Sequence, residues 1–157
     1  MPIEIERKFL VNVDKLPPLP AGKRLVQGYL CKHPQVRFRV TGSTVVVAIK
    51  QKLDECARFE FETVRENVSD ADLQTLYSLA LWPPLVKTRH EIPLNGLVWE
   101  VDVYEDENAG LVTVDVELPT ADHPLVFPDW VIPTDISGVK CYKNVNLTKH
   151  PYRTWER

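Results

Sequence analysis

The stretch IEIERKFL at residues 3–10 carries a charged side chain at every even position except the last. Alternate side chains of a β-strand point to opposite faces, so this pattern predicts a strand with one ionisable face and one apolar face. The ionisable face would carry Glu4, Glu6 and Lys8, and the opposite face Ile3, Ile5 and Phe9. Arg7 shares the parity of the apolar set, so we expect it to lie outside, with its charged end in water.

The same period of two recurs along most of the chain. We predict eight strands, at residues 3–10, 24–31, 35–41, 44–52, 57–64, 86–93, 97–105 and 110–118. Asn95-Gly96 is a strong hairpin signal because this pair tolerates the positive φ angles of a tight turn. Eight strands with short connections favour an antiparallel meander that closes into a barrel. The predicted fold class is therefore α+β, mainly β: an eight-stranded antiparallel β-barrel with a polar, charged interior and flanking helices.

Two further segments interrupt or follow the strands. Ser69-Asp70-Ala71-Asp72 resembles a capping box, apolar residues follow it at helical spacing, and Trp82-Pro83-Pro84 ends the predicted helix. We expect this helix to pack on the outside of the barrel. After Pro119 the alternation weakens, so we predict a loop with apolar anchors at residues 120–135 and a short helix at 138–148. Those anchors are Leu125, Phe127, Trp130 and Ile132.

Length and composition narrow the class of protein. The chain has 157 residues, which fits one domain, and its 19 basic and 22 acidic residues nearly cancel to a net charge of −3. A general nucleic-acid or anionic-membrane binder would carry a basic excess, so we expect neither partner. The three cysteines contain no CxxC spacing, which argues against a zinc knuckle. The charged N-terminus and the absence of an uncharged apolar run near ~18 residues predict a cytoplasmic, soluble protein.

Seven of the eight predicted strands carry an ionisable face. Its cations are Lys8, Arg37, Arg39, Lys50, Arg58, Lys87 and Arg89, and its acids are Glu4, Glu6, Glu60, Glu62, Glu100, Asp102, Asp115 and Glu117. A sheet with one solvated face also alternates in this way, but such a face tends to mix signs and to use Thr or Ser. Here neighbours on one strand share a sign. We therefore expect this face to line the barrel interior, where metal ions or ligand compensate the repulsion.

The count of these charges points to a ligand class. Seven cations and eight acids leave the lining near −1, and two divalent cations would raise it to about +3. A triphosphate carries roughly −4 to −5 charges. Arginine and lysine suit phosphate oxygens, whereas clustered carboxylates suit Mg²⁺ or Mn²⁺. The combination indicates metal-assisted polyphosphate chemistry.

These residues occur in an order that resembles the CYTH, or triphosphate tunnel metalloenzyme, superfamily. The resemblance begins with the ExExK pattern at residues 4–8 and continues through QGYL (27–30), VRFR (36–39), IK (49–50), EFE (60–62), VKTR (86–89), WEVD (99–102) and GL…DVEL (110–118). It implies one tunnel domain over residues 1–157, with residues 119–157 as a C-terminal loop and short helix. Activities in the family include hydrolysis of tripolyphosphate, nucleoside triphosphates and thiamine triphosphate, and class IV adenylyl cyclase. The short motif set is most similar to tripolyphosphatases.

The resemblance assigns roles to the charged residues. We expect two ions of Mg²⁺ or Mn²⁺ and attack of an activated water on a terminal phosphorus. First-choice metal ligands are Glu4, Glu6, Asp115 and Glu117, with Glu62 and Asp102 as further ligands or as orienters of metal-held water. Phosphate contacts are Lys8, Arg37, Arg39, Lys50, Lys87 and Arg89, while Arg58 is either a phosphate contact or a counter-ion of Glu60. The residues expected to act in catalysis are Glu4, Glu6, Lys8, Asp115 and Glu117.

Two departures keep alternatives open. Asp115 stands where the family usually has Glu and is one methylene shorter, which bears on the geometry of one metal, whereas Gln51, where Gly is common, matters less. The alternatives are a class IV adenylyl cyclase and a non-catalytic module that binds polyphosphate or nucleotides. The expected partner is a small-molecule polyphosphate or nucleoside triphosphate. A homodimer, the natural substrate and a role of residues 119–157 as a lid or plug stay open.

Overall fold

One antiparallel sheet organises the protein. The computed structural model describes residues 5–54 and 58–155. Its nine strands are β1 (Ile5–Val11), β2 (Lys23–Cys31), β3 (Gln35–Thr41), β4 (Thr44–Lys52), β5 (Arg58–Arg65), β6 (Leu85–Leu94), β7 (Leu97–Tyr104), β8 (Val112–Leu118) and β9 (Val131–Asp135). The helices are α1 (Asp70–Ser78) and α2 (Asn144–Lys149), and short 3₁₀ turns lie at Val13–Lys15, Asp106–Asn108, Lys140–Tyr142 and Tyr152–Thr154.

The strands pair in the order β5-β4-β3-β2-β6-β7-β8-β1-β9. The predicted mainly β, antiparallel fold is thus confirmed, with two differences. The first is closure: in the described part of the chain, no hydrogen-bonded pairing joins β5 to β9, so the sheet curls into an open groove. The second is a ninth strand, β9, where a loop was predicted. Its five residues include Pro133, which an edge strand tolerates because one of its sides needs no ladder hydrogen bonds.

Apolar side chains pack on the outer face of the sheet in two places. Beneath α1, Leu73 contacts a buried set on four strands, namely Val26, Phe38, Val40, Val45 and Val86. Ser69 caps this helix by accepting a hydrogen bond from the Asp72 amide at 3.2 Å, as the capping pattern predicts. The helix therefore packs outside, as expected, although it ends at Ser78, four residues before Trp82.

The second outer cluster lies on β1, β7 and β8. Phe9, Trp99 and Val116 form its centre, and the segment after β8 covers them. From this segment, Trp130 packs edge-to-face on Trp99 with ring centroids 6.1 Å apart, and Phe127 does the same on Phe9 at 5.1 Å. Three of the predicted anchors, Leu125, Phe127 and Trp130, thus shield the back of the strands that carry the acidic residues, whereas Ile132 is 40% exposed.

The C-terminal segment closes one end of the inner face. Leu147 of α2 is fully buried against Leu85, Tyr104 and Leu111. The predicted helix at 138–148 is shorter than expected: a 3₁₀ turn ends at Tyr142, Lys143 is extended, and α2 begins at Asn144. In residues 5–54 and 58–155, no helix is long and apolar enough to cross a bilayer.

Candidate functional site

A groove of about 830 Å³ runs along the inner face of the sheet. Charged side chains of six strands line it because their positions share one parity in register across the sheet. The lining residues are Glu6, Lys8, Arg37, Arg39, Lys50, Glu60, Glu62, Lys87, Arg89, Asp115 and Asn144. The structure therefore brings most of the sequence-predicted site residues together. Arg7 lies off this groove and pairs with Asp135 at 2.9 Å, as its parity predicts.

The remaining predicted residues fall elsewhere. Glu4 and the side chain of Arg58 lie outside the described part of the chain. Glu117 is exposed and faces Glu6 across the β1–β8 pair, so it extends the acidic end of the groove. Asp102 has no exposed surface and lies under Lys87 and Arg89.

Asp115 and Glu6 form the acidic end. The Asp115 side chain is 5% exposed, and its Oδ2 accepts a hydrogen bond from Arg89 Nη2 at 3.2 Å. Its buried Oδ1 has no hydrogen-bond partner among the described residues, and Lys8 Nζ lies 3.8 Å away. Burial raises the pKa of Asp115, and the positive charge of Lys8 only partly offsets this effect. Burial and the neighbouring Asp115 also raise the pKa of Glu6.

Lys87, Asp102 and Arg89 form a buried ionic network beside Asp115. Asp102 accepts hydrogen bonds from Lys87 Nζ at 2.8 Å, Arg89 Nε at 2.8 Å and Arg89 Nη2 at 2.9 Å. Burial acts to raise the pKa of Asp102, but the hydrogen bonds from Arg89 and the charge of Lys87 outweigh it and lower that pKa. Burial lowers the pKa of Lys87, and Asp102 opposes this. Arg89 also donates through Nη1 to Glu100 at 3.0 Å.

The cationic end is built from β3 and β4. Neither Arg37 nor Arg39 forms an ion pair within the part of the chain that the structure describes. Burial and the like charge of Arg37 lower the pKa of Arg39. Lys50 contacts Glu60 at 3.5 Å, but both side chains are largely exposed, so this pair is weak. Two guanidinium groups therefore face the groove with spare hydrogen-bond donors.

Sequence reasoning missed three polar residues of the groove. Gln27 is fully buried, accepts a hydrogen bond from Arg39 Nε at 3.3 Å and donates to the Tyr29 hydroxyl at 2.8 Å. Gln27 and Tyr29 pair in register with Arg39 and Arg37, so strand parity indicates both residues once neutral polar side chains are counted with the charged ones. Asn144 accepts a hydrogen bond from the Tyr104 hydroxyl at 3.2 Å. Its position depends on the docking of α2, which no local pattern reports.

The acidic end fits a divalent cation. In residues 5–54 and 58–155, no three His, Cys, Asp or Glu side chains gather into a complete metal centre. Mg²⁺, however, is commonly held by one or two carboxylates together with water and substrate phosphates. Asp115 Oδ1 has no hydrogen-bond partner among the described residues, and Lys8 and Arg89 only partly offset the factors that raise the pKa values of Asp115 and Glu6. A cation at this end would supply the remaining compensation.

Known proteins resemble the chain over nearly its whole length. No family model matches it. It is 34% identical over 155 residues to an inorganic triphosphatase of Acetivibrio thermocellus, covering 98% of this chain and 97% of that protein. The solved inorganic triphosphatase NE1496 is 26% identical, with a TM-score of 0.72, covering 94% of this chain and 95% of the other. A putative adenylate cyclase from Bacillus halodurans, 16% identical with a TM-score of 0.53, covers 77% of this chain and 83% of its own and shares the fold.

Proposed function

Because this chain belongs to the CYTH-type inorganic triphosphatase family, we propose that it hydrolyses inorganic tripolyphosphate in the groove on the inner face of its sheet. The observation that carries the proposal is the separation of charge within that groove. Among the described residues, Arg37 and Arg39 lack acidic partners at one end, while at the other end Lys8 and Arg89 only partly compensate the charges of Glu6 and Asp115. A polyanion that arrives with divalent cations satisfies both ends at once.

The cationic residues would bind the phosphate chain. Arg37 and Arg39 present planar, multidentate donors, which suit phosphate oxygens geometrically as well as electrostatically. The hydrogen bond from Arg39 to Gln27 restricts the rotation of one guanidinium before substrate arrives. Lys50 would exchange its weak contact with Glu60 for a phosphate oxygen. Pre-orientation of this kind lowers the entropy lost on binding.

The acidic residues would hold Mg²⁺ or Mn²⁺. Glu6 and Asp115 are the first ligands we assign. Glu117 of β8, which pairs with Glu6 of β1, and Glu4, which precedes Glu6 by two residues in the sequence, are further ligands. Glu62, at the far wall of the groove, would orient water or a second ion. When bound, the metal supplies charge neutralisation at phosphate oxygens and lowers the pKa of water.

Lys8 joins the two ends. Its Nζ lies 3.8 Å from Asp115 Oδ1, which is too far for a strong hydrogen bond and leaves its protons available to a phosphoryl oxygen. Its backbone is held by the segment that follows β9, because Lys8 N donates to Ser137 Oγ and Lys8 O accepts from the Ile136 amide, each at 2.8 Å. A fixed cation at this place would stabilise the negative charge that develops in the transition state.

Product analysis tests the proposal. The protein is incubated with tripolyphosphate, pyrophosphate, ATP or thiamine triphosphate, in Mg²⁺, Mn²⁺ or EDTA, and the products are separated by anion exchange. We expect equal amounts of orthophosphate and pyrophosphate from tripolyphosphate, and none in EDTA. Cyclic AMP from ATP would instead identify a cyclase. Tight metal-dependent binding of tripolyphosphate without turnover would identify a binding module and overturn the proposal.

A further inference from the structure

Asp102 has no free capacity for a metal ion or for substrate. Its side chain is 0% exposed, and three charge-assisted hydrogen bonds of 2.8–2.9 Å occupy both of its oxygens. A metal or a phosphate at this carboxylate would have to break those bonds and leave Lys87, 1% exposed, as an unpaired buried cation. Asp102 therefore differs from Asp115, although both project from neighbouring strands onto the same face.

Asp102 makes most of its hydrogen bonds with Arg89. A guanidinium has five N–H donors, and four contacts already engage those of Arg89: two with Asp102, one with Glu100 and one with Asp115. The fork-to-fork pairing with Asp102 fixes the plane of the guanidinium. In that plane, Nη2 holds Asp115 Oδ2 at 3.2 Å and so determines where the unpartnered Oδ1 lies.

These contacts form a chain of orientation from Asp102 through Arg89 to Asp115. We propose that Asp102 is a positioning residue that acts through Arg89 to orient Asp115, and that it touches neither metal nor substrate. The inference rests on the proposed function for its catalytic consequence. It also changes the role of Arg89: with most of its donors engaged by carboxylates, Arg89 organises the acidic end, whereas Arg37 and Arg39 bind phosphate.

A double-mutant cycle tests this chain of contacts. The variants are Asp102→Asn, Arg89→Met and the two combined, with Glu105→Gln as a control that removes one acid from the exposed pair with Arg24. Each is assayed for kcat and KM with tripolyphosphate and, by calorimetry without substrate, for the affinity for Mn²⁺. We expect Asp102→Asn to lower kcat by about 10-fold or more. KM should change by less than about threefold, because the phosphate-binding cations remain.

The decisive comparison is the effect of Asp102→Asn in the Arg89→Met background. If Asp102 acts through Arg89, the second substitution changes kcat and the Mn²⁺ dissociation constant by less than about fivefold in that background. A larger additional loss of either quantity would identify Asp102 as a direct ligand and overturn the proposal. Wild-type values in Asp102→Asn alone would also overturn it. A non-additive pair cannot arise from two independent losses of folding stability, which thermal melts of all four proteins would report.

The role of Asp102 can be tested independently of the proposed function and of the folding of one variant. If wild-type protein fails to turn over any triphosphate, the proposed function fails, whereas the Mn²⁺ cycle still decides how Asp102 acts. Asp102→Asn could fail to fold because it leaves Lys87 unpaired. In that case the double variant Lys87→Met/Asp102→Asn, which removes both buried charges, is used in its place and is compared with Lys87→Met alone. The same fivefold criterion then applies to calorimetry with and without Arg89→Met.

Discussion

Glu6→Gln should make the metal-free protein more stable and the enzyme much less active. Gln has nearly the same shape as Glu, so the substitution removes a charge and little else. In the metal-free protein that charge is unfavourable, because burial and the nearby Asp115 raise the pKa of Glu6. Glu6 is only partly buried and keeps part of its surface in water, so solvent screening limits the gain in the free energy of unfolding at pH 8 to at most about 1 kcal/mol.

The loss of activity should be larger than this gain. Two unit charges 4 Å apart interact by about 4 kcal/mol at an effective dielectric constant of 20, and a divalent ion doubles that gross value. Desolvation cancels much of it, so we expect kcat/KM to fall about 100-fold, equivalent to roughly 2.7 kcal/mol. Phosphate release from tripolyphosphate measures the loss of kcat/KM, and thermal unfolding in EDTA and in excess Mg²⁺ measures the change in stability.

The same melts provide the control. Mg²⁺ should raise the melting temperature of the wild type and of Glu105→Gln, which loses an acid that does not line the groove, but only weakly that of Glu6→Gln. Two results would refute the reasoning. Turnover of Glu6→Gln within about tenfold of wild type would remove Glu6 from the metal site. A melting temperature in EDTA lower than that of the wild type would mean that the Glu6 charge is stabilising without metal.

Three further predictions follow from single features. Gln27→Leu removes the acceptor of Arg39, so KM for tripolyphosphate should rise about tenfold with little change in kcat; an unchanged KM would show that Arg39 needs no support. Gly28→Ala places a methyl group in collision with the ring of Phe38 and should lower the free energy of unfolding by about 1–3 kcal/mol. Urea titration measures this change, and an unchanged midpoint would contradict the packing of Phe38 on Gly28. Because Glu6 and Asp115 have raised pKa values in the folded state, the folded protein binds more protons than the unfolded chain, and in EDTA its stability should fall as pH rises through those values; a stability that rises there would reverse the sign.

The groove combines two kinds of charged pair, and the difference has a physical consequence. Lys87 and Asp102 are fully desolvated and satisfy each other, so they stabilise one arrangement of the sheet at any substrate concentration. Among the described residues, Arg37, Arg39 and Glu6 form no ion pair, and Asp115 is hydrogen-bonded to Arg89 through Oδ2 alone. These groups can therefore still form strong electrostatic interactions with a ligand.

The sequence alone determined the faces of the strands. Side-chain alternation is a local property of extended backbone, so the parity of Lys8, Arg37 and Asp115 could be predicted without knowing which strands pair. The predicted antiparallel, mainly β fold is confirmed by the pairing of the strands, and the family that the ordered motifs indicated is confirmed by the 34% identical inorganic triphosphatase. The individual roles of the site residues stay predictions.

Only the tertiary structure decided how the charged residues differ from one another. Asp102 and Asp115 both stand between two valines and point to the same face of neighbouring strands, yet hydrogen bonds occupy both oxygens of Asp102, whereas Asp115 Oδ1 has no partner among the described residues. The β6–β7–β8 register causes this by placing Arg89 opposite Asp102, from where its guanidinium also reaches Asp115. Likewise, β9, the open edge and Asn144 depend on where distant segments dock. Such contacts arise from packing between elements, which the periodicity of one strand does not encode.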